Sequence, residues 1–374
     1  MLKKLAIITT PLYDFNGQKF NIGGVEHYMR TLAHIGFLRG LSVEVFQRGD
    51  LEGKKDFGEF KVESVNVSSN QKLFDYACSK AGEDSVVVIA TDQMDIKSRA
   101  KNVVVIQHGI AFDYPLNSTG LAWHKDVFIK FLRCIKNVMR ARFVKNVVCV
   151  DYNFFNWFRT LSSFDKDANV WIIPNYSYGA ISESELKSKL EGRGGKLRIL
   201  FARRFVEYRG TVIFKNIAKR LLSEFDNLEF TFAGDGPLKP MLEGEFKNEP
   251  RVCITKYNSL ESVEFHKNFD IACVPTITSE GTSLSLLEAM SAGCFPIATH
   301  VGGMTNIILD SYNGFLCYPK EEAVYDALKK AILMKKPDFD RIATNAWLSA
   351  TQSFGLSNWS EKWNAVFDKM SGEI

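Results

Sequence analysis

The stretch Val274–Ala298, VPTITSEGTSLSLLEAMSAGCFPIA, decides how the chain is read. An apolar run ends at Pro275, a polar loop follows, and a helical pattern begins near Thr282-Ser283-Leu284. In open parallel sheets, ligands bind beyond the carboxyl ends of the strands. A helix starting there presents unpaired backbone N–H groups and a partial positive charge, a combination that holds phosphate. Glu280 lies just before the helix and Glu288 within it. Eight helical residues rise only about 12 Å, so the two carboxylates can bracket a diphosphate on the helix end. Glu280 then faces a sugar and Glu288 the ribose hydroxyls. A dipole-favoured cap at 280 and a solvated side chain at 288 fit the same letters.

Working outward, short apolar runs alternate with amphipathic stretches, the pattern of parallel sheets covered by helices. The first half predicts strands at Leu5–Thr9, Ser42–Phe46, Val86–Ile89, Val103–Ile106, Asn146–Val150 and Val170–Ile173. Between them, Val25–Arg39 reads as a helix with Tyr28, Leu32, Ile35 and Phe37-Leu38 on an apolar stripe. The second half predicts strands at Leu197–Ala202, Leu228–Ala233, Arg251–Thr255, Ile271–Val274 and Phe295–Thr299. Its helices are expected at Gly210–Phe225, Pro237–Phe246, Leu260–Lys267, Leu284–Ala292 and Glu321–Lys335.

The polar stretch Tyr176–Gly195, rich in Ser and Gly, reads as a flexible connection. The expected organisation is therefore an α/β chain of two Rossmann-like, doubly wound domains facing across a cleft. The first spans 1–178, a linker 179–195, and the second 196–352. Residues 353–374 read as a terminal helix, with Trp359 and Trp363 at i, i+4 spacing, packing back toward the first domain.

Composition sets the outer limits. The 374 residues suit two domains, and 46% hydrophobic with 24% charged residues is ordinary for a globular protein. Lys plus Arg number 47 against 43 Asp plus Glu, a net +4, which argues against a wholesale nucleic-acid binder. The seven cysteines (78, 134, 149, 253, 273, 294 and 317) are scattered, with no C-x-x-C spacing. That distribution points to a reducing, cytoplasmic setting rather than a zinc site or disulfide framework. No stretch approaches the roughly 18 apolar residues that span a bilayer. The apolar start, Leu5–Ile8 after Lys3-Lys4, runs into Thr9-Thr10-Pro11 too soon for a signal peptide.

Four further elements fall at strand ends. LRILFARRFVEYRG (Leu197–Gly210) delivers Arg203, Arg204 and Arg209, and arginine offers bidentate bonds to phosphate; a surface basic loop paired with Glu207 would read alike. FTFAGDGPLKP (Phe230–Pro240) allows a tight turn at Gly234 and Gly236. FNIGGVE (Phe20–Glu26) opens a helix with Gly23-Gly24, permitting close backbone approach to a ligand, although a plain turn is the default. VVVIQHG (Val103–Gly109) sets His108 at the end of a buried strand, where a structural histidine is equally at home.

Taken in order, these landmarks make the chain resemble a retaining glycosyltransferase of the GT-B fold, in the group 1 transferases (glycosyltransferase family 4). The resemblance rests on Gly23-Gly24-Val25-Glu26, Ile173-Pro174-Asn175, Arg204 with Arg209-Gly210, and Ala233-Gly234-Asp235-Gly236-Pro237-Leu238. The E-x7-E element from Glu280 to Glu288 follows, then Ala292-Gly293, Pro296, Gly302-Gly303 and Asn313-Gly314. It implies that Glu280 contacts the donor sugar and Glu288 the ribose. Arg204 and Arg209 bind the diphosphate with the backbone amides of Thr282, Ser283 and Leu284. Gly24 approaches the phosphates, His108 lies against the sugar near the anomeric centre, and Lys256 and Tyr257 follow the strand whose end meets the base. The chain departs from the family where Gly-Arg is usual and it has Arg203-Arg204, and where Lys is usual and it has Arg209.

The resemblance implies transfer of a hexose-type sugar from a nucleotide sugar, UDP favoured and GDP open, with retention by front-face attack. No metal or other cofactor is expected. Asp165-Lys166-Asp167 and Asp338-Phe339-Asp340 match D-x-D spacing but read as polar surface turns. Leu121–Asn146 carries seven Lys/Arg beside a stripe of Phe128, Phe131, Leu132, Ile135, Val138 and Met139, as suits an anionic leaflet or, equally, a core-facing helix. The corresponding expectation is peripheral attachment at the inner face of the cytoplasmic membrane, with a lipid-linked glycan acceptor in bacterial surface polysaccharide synthesis. A nucleotide-sugar epimerase, a hydrolase on the same fold, or a non-catalytic nucleotide-sugar-binding partner are the alternatives. A nicotinamide enzyme ranks last because G-x-G-x-x-G is absent.

Overall fold

A computed structural model describes residues 2–21, 23–90, 96–98, 100–110, 113, 122–164, 166–258 and 261–372. The chain divides into two units, one of Met1–Phe112, Thr119–Pro174 and Trp359–Ile374, the other of Asp113–Ser118 and Asn175–Asn358. Each is built on a predominantly parallel sheet covered by helices.

The first sheet runs Asn169–Ile172, Asn146–Cys149, Val103–Gln107, Ser85–Ile89, Lys4–Thr9, Ser42–Arg48, Lys61–Val65 and Gly53–Asp56. Its centre reads as uninterrupted apolar sequence because both faces are covered; every residue of Ser85–Ile89 is buried. The outer pair was absent from the sequence expectation for the opposite reason. Gly53–Asp56, GKKD, is an antiparallel edge, and Lys54 faces Glu63 across the register with an ion pair of 3.0 Å. Charged edges of this kind resist unwanted strand addition and carry no apolar signal.

Helix Gly24–Leu38 buries Tyr28, Met29, Leu32 and Ala33, while Phe37 and Leu38 are exposed, so the apolar stripe ends earlier than its spacing suggested. Helix Leu356–Ser371 packs in this unit through Trp359, Trp363, Val366 and Phe367. Trp363 Nε1 donates to the Tyr28 hydroxyl at 2.9 Å, and the Tyr28 ring meets Trp359 edge-on at 4.8 Å. Two tryptophans at one-turn spacing bury a large apolar area, and a polar partner for an indole N–H makes that burial sustainable.

The second sheet runs Val252–Thr255, Leu228–Ala233, Leu197–Ala202, Ile271–Val274, Phe295–Thr299 and Phe315–Cys317, all parallel. The order reverses between Leu197–Ala202 and Ile271–Val274, which makes the space beyond their carboxyl ends the topological switch point. Phe201, Phe205, Phe214, Phe230 and Phe232 fill the core on one face.

Two expectations need correction here. Residues 179–195 are not a flexible connection throughout, since Glu183–Glu191 is a helix of the second unit. Ser182 and Glu185 form a reciprocal capping box, and Leu186 and Leu190, one turn apart, enter the core. The serines that suggested a linker include its cap. Asp338-Phe339-Asp340 likewise lies inside helix Lys336–Ser353 rather than in a turn, with Phe339 buried and Asp340 held by Lys336 at 2.9 Å. Asp165 of the other D-x-D lies outside the described residues, as does Leu260, whose helix is described as Ser262–His266. None of the seven cysteines, all among the described residues, is joined in a disulfide.

Candidate functional site

At the switch point of the second sheet, three loops are locked together. Beyond Ala202 the chain alternates inward, outward, inward: Arg203 is nearly buried, Arg204 is exposed, and Phe205 is wholly buried in the core. Arg203 N donates to the Ala233 carbonyl at 3.0 Å, which extends the strand ladder by one residue before the chain turns. The single turn Glu207–Arg209 then ends at Gly210, whose φ is +82°. A Cβ at 210 would stand 2.0 Å from the Pro275 carbonyl oxygen, so only glycine lets this turn press against the loop after Ile271–Val274. Ile277 N, donating to the Tyr208 carbonyl at 2.9 Å, joins the two loops.

That arrangement brings both guanidinium groups onto Glu280. Its Oε2 accepts from Arg203 Nη2 at 2.6 Å, from Arg209 Nη1, and from Thr276 Oγ1 at 3.1 Å. The second arm of the Arg203 fork, Nη1, donates to Ser283 Oγ at 3.2 Å. Charge-assisted bonds on so little-exposed a carboxylate are strong and directional.

The loop that carries Glu280 is clamped from two further sides. Gly302, at φ +53°, and Gly303 close over it, and Gly303 N donates to the Glu280 carbonyl at 3.0 Å. Asn175 Nδ2 donates to the Thr282 carbonyl at 2.7 Å.

Helix Leu284–Ser291 begins here with Ser283 at its N-cap, and the Ser283 side chain makes no capping hydrogen bond to the first-turn amides. An uncapped start leaves N–H groups for a ligand. One turn on, Glu288 receives the Tyr257 hydroxyl at 3.5 Å, and Tyr257 lies parallel on Phe265 with centroids 4.6 Å apart. Tyr257 and Phe265, with Lys256, Asn258, Glu261 and Glu264, line a cavity of about 400 Å³. Lys256 itself is exposed and paired with Asp235, whose carboxyl it holds below its ordinary value together with the Gly236 amide.

Burial lifts the Glu288 carboxyl to about 7, against hydrogen bonds from Ser262 and Tyr257 and the charge of Arg203. The folded protein then keeps a proton that an unfolded chain releases, so this group costs stability as pH rises from about 4.5 to about 7. The Glu288→Gln variant has nothing to titrate. Its melting temperature should gain on that of the unsubstituted protein between about pH 5 and about pH 8, and a difference that is flat with pH would refute the assignment.

Gly24 and His108 belong to the first unit. Gly24 is the first residue of helix Gly24–Leu38, after extended Gly23. His108 follows strand Val103–Gln107, its Nε2 donating to the Ala90 carbonyl at 2.7 Å and its ring edge-on to Tyr28 at 5.3 Å. Burial holds its pKa down to about 4, so at neutral pH it is an uncharged imidazole with the proton on Nε2.

Of the residues singled out by sequence, the structure thus gathers Arg209, Tyr257, Glu280, Thr282, Ser283, Leu284 and Glu288, while Arg204 is exposed. Thr276 was not singled out by sequence, Arg203 was named there without a role of its own, and Asn175 and Gly302 entered only as landmarks of the resemblance.

Of the stretch 121–146, Leu121 lies outside the described residues, and Trp123–Ala141 is a helix. Within it Trp123, Phe128, Phe131, Leu132, Ile135 and Met139 are exposed, and only Asp126 and Ala141 are buried. Most of the stripe is exposed, while Val138 packs against the core formed by Ala141, Val147, Phe154 and Phe158. No helix among the described residues is long and apolar enough to cross a membrane.

Residues 182–346 match the family model of the group 1 glycosyl transferases. Protein CapJ of Staphylococcus aureus is 30% identical over 159 residues, covering 41% of this chain and 39% of CapJ. A component of the phosphatidylinositol N-acetylglucosaminyltransferase of Homo sapiens is 23% identical over 237 residues, 61% of this chain and 46% of that protein. This chain therefore aligns with less than half the length of either relative. Among solved structures, the Anabaena protein Alr3699/HepE in complex with UDP superposes with a TM-score of 0.67 at 15% identity, covering 98% of this chain and all of that one.

Proposed function

We propose that this chain, a group 1 glycosyltransferase of the GT-B fold, moves a hexose-type sugar from a UDP-sugar to a lipid-linked glycan with retention of configuration. One observation carries the reading: two guanidinium groups, a carboxylate and an uncapped helix start converge at the switch point of the second sheet. Breaking a glycosyl–phosphate bond puts negative charge on the departing diphosphate and positive charge on the sugar. Fixed guanidinium groups and helix amides stabilise the first charge, and Glu280 stands where it can meet the second. The departing phosphate accepts the acceptor's proton on the same face, which yields retention. Glu288 takes the ribose, and the cavity beside Tyr257 takes the base.

The UDP complex of the Anabaena protein and the phosphatidylinositol named for the human relative support the base and the lipid-borne acceptor, respectively. A thermal-shift panel of UDP-, GDP- and ADP-sugars, followed by product analysis with and without acceptor, tests donor and reaction together. A protein stabilised by none of them has no donor site. Hydrolysis or epimerisation without transfer would replace this reading with one of the rival enzymes, and binding without turnover with a non-catalytic partner.

Helix Trp123–Ala141 supports the membrane part. It sets an exposed aromatic and aliphatic stripe beside five Lys/Arg, a pattern that inserts shallowly into an anionic leaflet. The expected result is flotation with vesicles containing phosphatidylglycerol at low salt, and its loss in a Phe128→Ser, Phe131→Ser double variant. A protein that stays at the bottom of the gradient with such vesicles removes the membrane assignment.

A further inference from the structure

The first unit fixes a hairpin that is no part of its main sheet. Between strand Lys4–Thr9 and helix Gly24–Leu38, Tyr13–Asp14 pairs antiparallel with Lys19–Phe20. Gln47, buried near the end of strand Ser42–Arg48, grips it: Oε1 accepts from Leu12 N and Tyr13 N, both at 2.9 Å, and Nε2 donates to the Tyr13 carbonyl at 2.7 Å. The Tyr13 ring meets Phe15, Phe20 and Phe57 edge-on at 5.1, 5.2 and 5.2 Å, and Lys55 Nζ donates to its hydroxyl at 2.6 Å. Between this hairpin and the loop after Arg48 lies a cavity of about 380 Å³, within the range of small-ligand sites. It opens beyond the carboxyl ends of Lys4–Thr9, Ser42–Arg48 and Lys61–Val65, where parallel sheets hold ligands.

The lining differs from the surface around it. Lys54 is paired with Glu63 and Lys61 with Asp56. At the cavity, the side chains of Asn16, Arg48 and Asp50 have no hydrogen-bond or ion-pair partner among the described residues. An amide, a guanidinium and a carboxylate are flat groups, each able to engage two neighbouring hydroxyls at once. Phe15 and Leu51 add an apolar side. Two carboxylates, Asp14 and Asp50, outnumber the one guanidinium, which disfavours a phosphate or a uronate. An alkyl chain would leave those charges unanswered. What fits is a neutral ring with vicinal hydroxyls on its edge and C–H groups on its face.

We propose that this cavity is a secondary glycan-binding site, which holds a neutral sugar residue of the acceptor away from its reacting end. The inference rests on the glycan acceptor proposed above and gives that acceptor a length. On the same reading His108 stands by the reacting sugar. It follows strand Val103–Gln107, whereas the strands under the cavity lie two to four places across the sheet. At about 4.8 Å per strand, the two places are roughly 10–20 Å apart, further than one sugar ring reaches. An acceptor that fills both therefore already carries more than one sugar.

The experiment measures binding to an array of neutral oligosaccharides built from glucose, galactose and N-acetylglucosamine, with glucuronate-ended ones beside them. The unsubstituted protein is compared with Arg48→Ala, Asp50→Ala and the double variant, and the same samples are titrated with UDP, GDP and ADP and melted. The expected result is retention of neutral glycans, a loss of roughly tenfold or more in each single variant, and no detectable binding in the double variant. Nucleotide affinity and melting temperature should not change, since neither side chain has a partner to lose. An unsubstituted protein that retains no neutral glycan overturns the proposal. So does glycan binding that survives the double variant, a preference for the glucuronate-ended set, or a fall in melting temperature that parallels the lost binding. Nucleotide binding without glycan binding removes this site and leaves the donor site standing. Glycan binding that the variants abolish, in a protein that takes no nucleotide, keeps this site and removes the donor site.

Discussion

Glu280→Gln lowers transfer by about a hundredfold to a thousandfold, the effect expected when one preorganised electrostatic partner of the reacting centre is removed. The amide keeps the size of the carboxylate and a carbonyl to accept from Thr276, so the loop has no steric reason to move. On the proposed function, what disappears is the charge that meets the sugar as it becomes cationic. The same change leaves Arg203 and Arg209 sharing a buried space with no anion between them. Removing one partner of a buried pair is destabilising, so the donor-free protein should melt at a lower temperature. Added inorganic diphosphate should restore more of that loss in the variant than it adds to the unsubstituted protein. Rates that survive the substitution in a folded protein would show that Glu280 is merely a counter-ion for the two arginines.

Gly302→Val is expected to damage the site without touching any ligand. A Cβ at 302 would lie 1.7 Å from the Glu280 carbonyl oxygen, and φ there is +53°, a conformation that β-branched residues avoid. Steric overlap and backbone strain together cost roughly 2–5 kcal/mol, which for a unit of this size lowers the melting temperature by roughly 5–15 °C. The relief available is for the Glu280 loop to retreat, so donor affinity should fall at least about tenfold in the protein that remains folded. Gly244→Ala is the matched control. It sits in helix Lys239–Glu245 with open space where a Cβ would go, and alanine is the better helix former. That variant should bind donor normally and melt no lower. Normal donor binding by folded Gly302→Val would mean that the clamp does not position Glu280.

The contrast between these two glycines also shows what a sequence can and cannot disclose. Strands Leu197–Ala202, Leu228–Ala233, Ile271–Val274 and Phe295–Thr299 were legible to the residue because parallel strands covered on both faces leave unbroken apolar runs. The edge Gly53–Asp56 was not, since lysine and aspartate on an outer strand look like loop. Phe315–Cys317 was too short to stand out.

The helix Glu183–Glu191 was hidden by a composition that counted its serines and overlooked the spacing of Ser182, Glu185, Leu186 and Leu190. At the site itself, Glu280 and Glu288 could be placed because loop and helix register are local properties. Which of two adjacent arginines turns inward depends on Phe205 and on the Gly234 backbone that backs Arg203, whose carbonyl would stand 2.0 Å from any Cβ there. The Gly234 contact comes from beyond the neighbouring strand Leu228–Ala233, which local spacing does not reveal.

The Trp359–Trp363 helix has a consequence for how the protein is made. The core around Tyr28 joins residues 335 positions apart in the sequence, so during translation the unit begun first is the one that waits longest for its missing part. Asn175–Asn358 can emerge and collapse in the interval, while the surface destined for the two indoles stays uncovered. Slowed or aborted synthesis past Asn358 should therefore yield a chain with one finished half and one sticky half, a natural client for chaperones.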